Sequence, residues 1–217
     1  MGLITKIEEQ KNKNRVNIFI DDSFFCGIEK ETAIVFGLKV GKNIEIEEIN
    51  QALQKSEEKR AFEKAMTYIS VRMHSKYEII KKLKNKGFDM QAISGAVAKL
   101  EEYKFVNDDN FARLFIEQNN KLSKNVLYSK LLSKGIEKGI IEYNLNEKSD
   151  ESELDNCIAV TKKLYKSSKI NSYNDLQKLI AKIVRRGYSI SDAKKAISVL
   201  EIKIDNFSDD FGDYDEF

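Results

Sequence analysis

Three glycines at nearly equal spacing constrain the fold of this chain more than any other feature of its sequence. Each follows an aliphatic residue and three others, at Gly87, Gly135 and Gly187, and these glycines are 48 and 52 residues apart. The residues one, six and ten positions after each glycine are also apolar. They are Phe88, Ile93 and Val97, then Ile136, Ile141 and Leu145, then Tyr188, Ala193 and Ile197. Self-similarity at this period predicts a repeat in which one helix stops at a left-handed glycine and another helix follows.

Serines stand where the helices that end at these glycines should begin. Ser75 and Glu78 have the spacing of a capping box, in which the serine and the glutamate satisfy each other's backbone amides. Ser123 and Ser172 occupy the corresponding places in the second and third repeats, and Ser189 precedes the last helix. The chain contains no proline, so glycine and serine rather than proline mark the helix ends.

The first fifty residues follow a different pattern. Val16, Ile18 and Ile20 alternate along the chain with the period of a β-strand, and a turn signal at 21–23 precedes a second apolar run at 24–28. Further strands are expected at 4–9 and 44–46, and a short helix at 31–36.

We therefore predict a mainly α protein, in which a small β-rich N-terminal cap precedes three tandem three-helix repeats in an elongated array. The expected divisions are a cap at 1–50, repeats at 51–106, 107–148 and 149–204, and an acidic tail at 205–217.

The supply of reactive side chains argues against catalysis and against a bound cofactor. The one histidine, His74, and the two cysteines, Cys26 and Cys157, do not make up the Cys/His set of a zinc site. We expect the cysteines to be small core residues in a reducing cytoplasm, and His74 to be partly protonated near neutral pH. No segment has the apolar length of a membrane span or the apolar core of a secretory signal. We therefore expect a cytoplasmic monomer.

Charge is unevenly placed along the chain. Residues 205–217 hold six acidic side chains and no basic one, whereas residues 1–204 hold 37 basic and 29 acidic side chains. A basic body predicts an anionic partner, either nucleic acid or an acidic protein groove. The tail has two interpretations: a solubilising end, or an acidic–aromatic segment that folds back over the basic body or docks on a basic partner.

Several of these motifs together resemble the RecX family of recombination regulators. The residues that carry the resemblance are Arg72-Met73-His74-Ser75-Lys76-Tyr77-Glu78, Lys82-Leu83-Lys84-Asn85-Lys86-Gly87-Phe88, Val106-Asn107-Asp108-Asp109-Asn110-Phe111-Ala112 and Leu132-Ser133-Lys134-Gly135-Ile136. The stretches at 4–8 and 36–41 also resemble the β-rich extension of longer family members. One departure is that Ser123-Lys124-Asn125 stands where the family often has a Gly-Pro-basic step.

The resemblance implies a non-enzymatic protein that binds the RecA recombinase. Family members lodge in the groove of the RecA–DNA filament and modulate filament growth, ATP hydrolysis and strand exchange, most of them as inhibitors. This implies a role in homologous recombination, DNA repair and the SOS response. The alternative left open by the residues themselves is a helical-repeat protein that binds single- or double-stranded DNA directly.

Exposed basic residues near the ends of the capped helices are the candidate contacts for the RecA filament or for DNA phosphate. They are Arg72, Lys76, Lys82, Lys86, Lys130, Lys134, Arg185 and Arg186. Each also has the plain interpretation of a solvated helix face, and cations near a helix C-terminus are favoured by the helix dipole as well. Paired carboxylates at Asp108 and Asp109 are the weaker enzymatic alternative, since adjacent residues on a helix point about 100° apart.

Overall fold

A computed structural model describes residues 1–147, 149–168 and 170–202. The chain divides into two compact units, Met1–Phe111 and Ala112–Phe217, and each is considered by itself. The acidic tail predicted at 205–217 lies outside the described residues.

The first unit begins with an antiparallel sheet of four strands in the order β3-β2-β1-β4. The elements are β1 (Gly2–Glu9), β2 (Arg15–Ile20), β3 (Ser23–Glu29), α1 (Lys30–Val35) and β4 (Asn43–Ile44). Val16 and Ile18 point inward, as their alternation predicts, and pack with Ile4, Cys26 and Ile28. The small β-rich cap is therefore confirmed.

The helix that follows begins earlier than the sequence indicates. The strand expected at 44–46 ends at Ile44, because the chain enters α2 (Ile46–Ile69) two residues later. Ile49 and Ala52 in the first part of α2 pack against the sheet, whereas Ala61 and Ala65 pack in a second cluster. A single helix thus runs through the division expected at residue 50 and contributes to two hydrophobic cores.

Nine helices follow the sheet in the described part of the chain, in three groups of three. The first group is α2, α3 (Lys76–Lys84) and α4 (Met90–Glu102); the second is α5 (Asp108–Gln118), α6 (Lys124–Ser133) and α7 (Lys138–Asn146); the third is α8 (Asp150–Lys166), α9 (Tyr173–Val184) and α10 (Ile190–Val199). The mainly α fold with helical repeats is confirmed.

The glycine and serine signals act as the sequence predicts. Gly87, Gly135 and Gly187 have φ angles of +86°, +76° and +92°, a region in which only glycine is unstrained. Ser75 and Glu78 make both bonds of the capping box. The side chains of the other predicted cap residues each accept a backbone hydrogen bond from the third residue of their helix; these are Ser123, Ser172 and Ser189.

Two residues with the helical spacing of core positions, Met73 and Tyr77, are exposed. Met73 continues the apolar spacing of α2, but α2 ends at Ile69, so Met73 lies beyond the helix and is 40% exposed. Tyr77 is 46% exposed because it lies two residues before the buried Ile79 on α3, and residues two apart face opposite sides of a helix.

Candidate functional site

The three turns that end α3, α6 and α9 carry basic residues at the same two positions. One basic residue directly precedes the left-handed glycine. A second basic residue lies four residues before the first one, on about the same side of the helix. We call these the basic pairs: Lys82 and Lys86, Lys130 and Lys134, and Lys182 and Arg186. Five of these six residues are among the contacts predicted from the sequence. Lys182 was missed, although counting back five residues from Gly187 would have found it.

Compensation of the helix dipole does not by itself account for the basic pairs. A cation in the last turn stabilises a helix by about 0.3–1 kcal/mol, so any helix in the chain would gain from one. The last turns of α2, α5, α7 and α10 nevertheless contain no basic residue. The last turns of α4 and α8 do contain lysines, but among the described helices only α3, α6 and α9 combine a basic residue directly before a left-handed glycine with another one four residues earlier.

Two members of the basic pairs rest on aromatic rings of the preceding helix. The Lys82 ammonium lies 4.6 Å from the centre of the Tyr68 ring, and the Lys134 ammonium lies 5.6 Å from that of Phe115. Such cation–π contacts contribute about 0.5–1 kcal/mol at exposed sites and restrict the side chain without neutralising its charge. Lys86 and Lys130 are exposed at the ends of their helices.

Arg72 and Lys76 are committed to ion pairs within the first unit. The Arg72 guanidinium donates to both carboxylate oxygens of Glu78, at 3.0 and 3.3 Å, and also to the Met73 carbonyl at 2.7 Å. The Lys76 ammonium donates to Glu101 at 2.8 Å. A partner would have to displace these contacts, which makes both residues weaker candidates than the exposed members of the basic pairs.

The turn that holds Arg185 and Arg186 is fixed against the N-terminus of α6. The Ser123 hydroxyl donates to the Arg186 carbonyl at 2.9 Å, and the Asn125 amide donates to the Gly187 carbonyl at 2.8 Å. A β-carbon on Gly187 would lie 2.3 Å from the Ser123 Oγ, so only glycine fits here. The backbone of this turn is therefore held in place while both arginine side chains stay exposed.

The helices of one group are also capped by the group that follows. The backbone amide of Lys76, the first residue of α3, donates to the Asp108 carboxylate of α5 at 2.8 Å. The amide of Lys124, the first residue of α6, donates in the same way to Glu153 of α8 at 2.8 Å. Burial raises the pKa of Asp108 above its usual value. Asp108 lies in the first turn of α5, but its carboxylate caps α3.

The net positive charge of residues 1–204 comes from one stretch, 156–204, which the sequence motifs do not indicate. Residues 156–204 contain eleven basic and three acidic residues, whereas residues 1–155 contain 26 of each. Five exposed lysines on α8 and α10 therefore join the candidate contacts; they are Lys162, Lys163, Lys166, Lys194 and Lys195. A running sum of charge along the sequence would have found them.

The reactive side chains are buried. His74 is 5% exposed, its Nδ1 lies 2.9 Å from the Arg72 carbonyl, and burial lowers its pKa, which disfavours the partial protonation expected near neutral pH. Cys26 and Cys157 are free and buried, and burial raises the pKa of each thiol to about 11.

Within the described ranges, no group of three or more His, Cys, Asp or Glu side chains could hold a metal ion. None of the helices described here has the length and apolarity to cross a membrane.

Comparisons of sequence and fold show which known proteins this chain resembles. Family models match two stretches: the regulatory protein RecX N-terminal domain at residues 2–45 and the RecX first three-helix domain at residues 61–100. A regulatory protein RecX from Caldanaerobacter subterraneus subsp. tengcongensis is 32% identical over 91% of this chain and 99% of its own length. The one from Clostridioides difficile is 33% identical, over 92% and 96%. A crystal structure of regulatory protein RecX matches the fold with a TM-score of 0.71, covering 91% of this chain and 100% of its own at 22% identity.

Proposed function

This chain belongs to the RecX family of regulatory proteins, and on that premise we propose that it binds in the groove of the RecA–DNA filament and restrains the filament. Restraint here means slower filament growth, ATP hydrolysis and strand exchange during recombination and DNA repair. The protein would act in the cytoplasm as a monomer, by binding rather than by catalysis and without a cofactor.

The observation that carries this proposal is the recurrence of the basic pairs at the same position in all three groups. A filament presents the same surface at every protomer, so a chain that repeats its own contact can engage it more than once. Linked weak contacts gain affinity because the second contact forms at an effective concentration in the millimolar range. Exposed lysine and arginine suit acidic protein surface or DNA phosphate, since they position a protein without reading sequence.

The test adds the full chain to RecA on single-stranded DNA and follows ATP hydrolysis. We expect the chain to slow hydrolysis, and an Arg185→Ala, Arg186→Ala double variant to need about tenfold more protein for the same effect. The estimate allows about 0.5–1 kcal/mol for each exposed charge contact. An unchanged hydrolysis rate at every concentration of the full chain would refute the proposal.

Lys11→Ala, Lys13→Ala is the matched control for this experiment. Both lysines are exposed between β1 and β2, and removing them changes the net charge by the same amount as removing the two arginines. The control should keep the potency of the unaltered chain. Equal losses in both double variants would mean that total charge matters and the α9 turn does not.

A second candidate function is direct binding to DNA, which the charge of residues 156–204 favours. A phosphate-driven binder loses affinity with salt, with a log–log slope of about −0.9 for each phosphate contact. Tight binding to naked DNA at physiological salt, together with no effect on RecA filaments, would favour this function over the first.

A further inference from the structure

The outer face of α10 is basic and apolar, and we propose that the acidic C-terminal segment of this same chain, residues 205–217, docks on it and on the adjoining last turn of α9. The segment would then compete with an anionic partner for that surface.

The surface is defined by the exposed positions of α10. They are Ile190, Ser191, Lys194, Lys195, Ser198 and Val199. Ile190 and Val199 are 58% and 59% exposed, and the opposite side of the helix buries Ala193, Ala196 and Ile197. The six exposed positions therefore combine two lysines and two aliphatic side chains with no acid. Arg185 and Arg186 add two exposed cations at the end of α9, which packs in the same core as α10.

The proposed occupant has the complementary composition. Residues 205–217 contain six acids and no base, and their aromatic residues are Phe207, Phe211, Tyr214 and Phe217. Acids can pair with the lysines and arginines of the surface, while aromatic rings can cover Ile190 and Val199. The adjacent stretch 156–204 holds the whole net positive charge of residues 1–204, so net charge favours this stretch over residues 1–155, which are neutral in sum.

The point at which the described chain ends makes the contact reachable. Ile202 is 9% exposed and lies in the core of the third group with Leu179 and Ile183, so the segment starts three residues after a point that is fixed in that group. The ten residues of α10 span about 15 Å at 1.5 Å per residue. Thirteen extended residues reach up to about 45 Å at about 3.5 Å per residue, so the segment can pass along the whole face.

A short linker gives this contact a high effective concentration. If the effective concentration of the linked segment is about 1 mM, even a docking Kd of about 0.1 mM would leave the segment docked in about nine-tenths of the molecules. An anionic partner would then bind about tenfold more weakly than it binds a chain without the segment. This regulatory consequence rests on the function proposed above, whereas the docking itself does not.

The chain has no tryptophan, so a Phe211→Trp variant of the full chain carries a single reporter in the segment. We expect acrylamide to quench this tryptophan at least about twofold less in the chain than in a 205–217 peptide with the same change, at low salt. Sodium chloride at about 1 M should abolish the protection, because it screens exposed charges beyond about 3 Å.

Two further changes, made in the Phe211→Trp chain, test where the segment docks. Lys194→Ala, Lys195→Ala should abolish the protection at low salt, whereas Lys11→Ala, Lys13→Ala should preserve it. Equal quenching in the chain and in the peptide at low salt would overturn the proposal, whatever the RecA assay shows. Protection that survives the loss of Lys194 and Lys195 would overturn the assignment to α10.

Discussion

Replacing Gly187 with alanine should destabilise the protein more than the same change at Gly87. Both glycines have left-handed backbone angles, which cost an alanine about 1–2 kcal/mol. At Gly87 the new β-carbon would meet nothing within 4 Å, so we expect no further loss. At Gly187 it would lie 2.3 Å from the Ser123 Oγ and 2.8 Å from a methyl of Val126.

Relief of that overlap requires the Ser123 side chain to move. Its hydroxyl donates to the Arg186 carbonyl at 2.9 Å and accepts from the Val126 amide at 3.4 Å. The lost hydrogen bond costs about 0.5–1.5 kcal/mol, and the lost cap of α6 costs about 1 kcal/mol. The total expected for Gly187→Ala is therefore about 2.5–4.5 kcal/mol, against about 1–2 kcal/mol for Gly87→Ala.

Urea unfolding followed by circular dichroism at 222 nm measures the two costs, and hydrogen exchange at the amides of α3 and α9 assigns each to its part of the chain. A Ser123→Ala background isolates the overlap, because it removes the hydroxyl that the new β-carbon meets. We expect Gly187→Ala to cost about 1.5–2.5 kcal/mol less in that background, and the cost of Gly87→Ala to stay the same. Equal costs for the two glycines, or strict additivity of Gly187→Ala with Ser123→Ala, would refute the reasoning.

Two other predictions concern buried titratable groups. His74 is the only histidine, and burial lowers its pKa from the usual 6.5, so below that pH the unfolded chain takes up more protons than the folded one. Stability should fall as the pH is lowered through this range in urea titrations, and a His74→Gln variant should show a flatter profile. Asp108→Ala removes the acceptor of the Lys76 amide and should cost about 1–3 kcal/mol in the same assay. Asp108→Asn keeps an acceptor oxygen and should restore most of that loss; equal losses in both variants would contradict the capping role.

The sequence predicts those parts of the fold that depend on neighbours along the chain. A serine three residues before a glutamate, or a glycine after an amphipathic run, determines a helix end from within a few residues. Ser75 and Gly87 therefore act as predicted. The buried positions after each glycine, such as Ile93 and Ile141, follow from the same local period.

Contacts between distant residues were the part that sequence reasoning could not reach. Nothing in the local pattern of Asp108 indicates that it binds the amide of Lys76, which lies 32 residues earlier. The exposure of Tyr77 and the burial of His74 likewise depend on where α2 ends and on what packs beside α3. The candidate contacts were only partly predictable for a related reason: Arg72 and Lys76 look free in the sequence, but Glu78 and Glu101 neutralise them in the fold.

The carboxylates that cap α3 and α6 come from later in the chain, so both helices are capped only after later residues have been synthesised. A nascent chain that has emerged only as far as α4 still lacks Asp108, and one that has emerged as far as α7 still lacks Glu153. The first group and the second group are thus each completed only when the ribosome has delivered the start of the next. In the third group, Asp175 lies in α9 itself and accepts from the Ser172 hydroxyl at 2.8 Å, a contact within one group that differs from the backbone caps of α3 and α6.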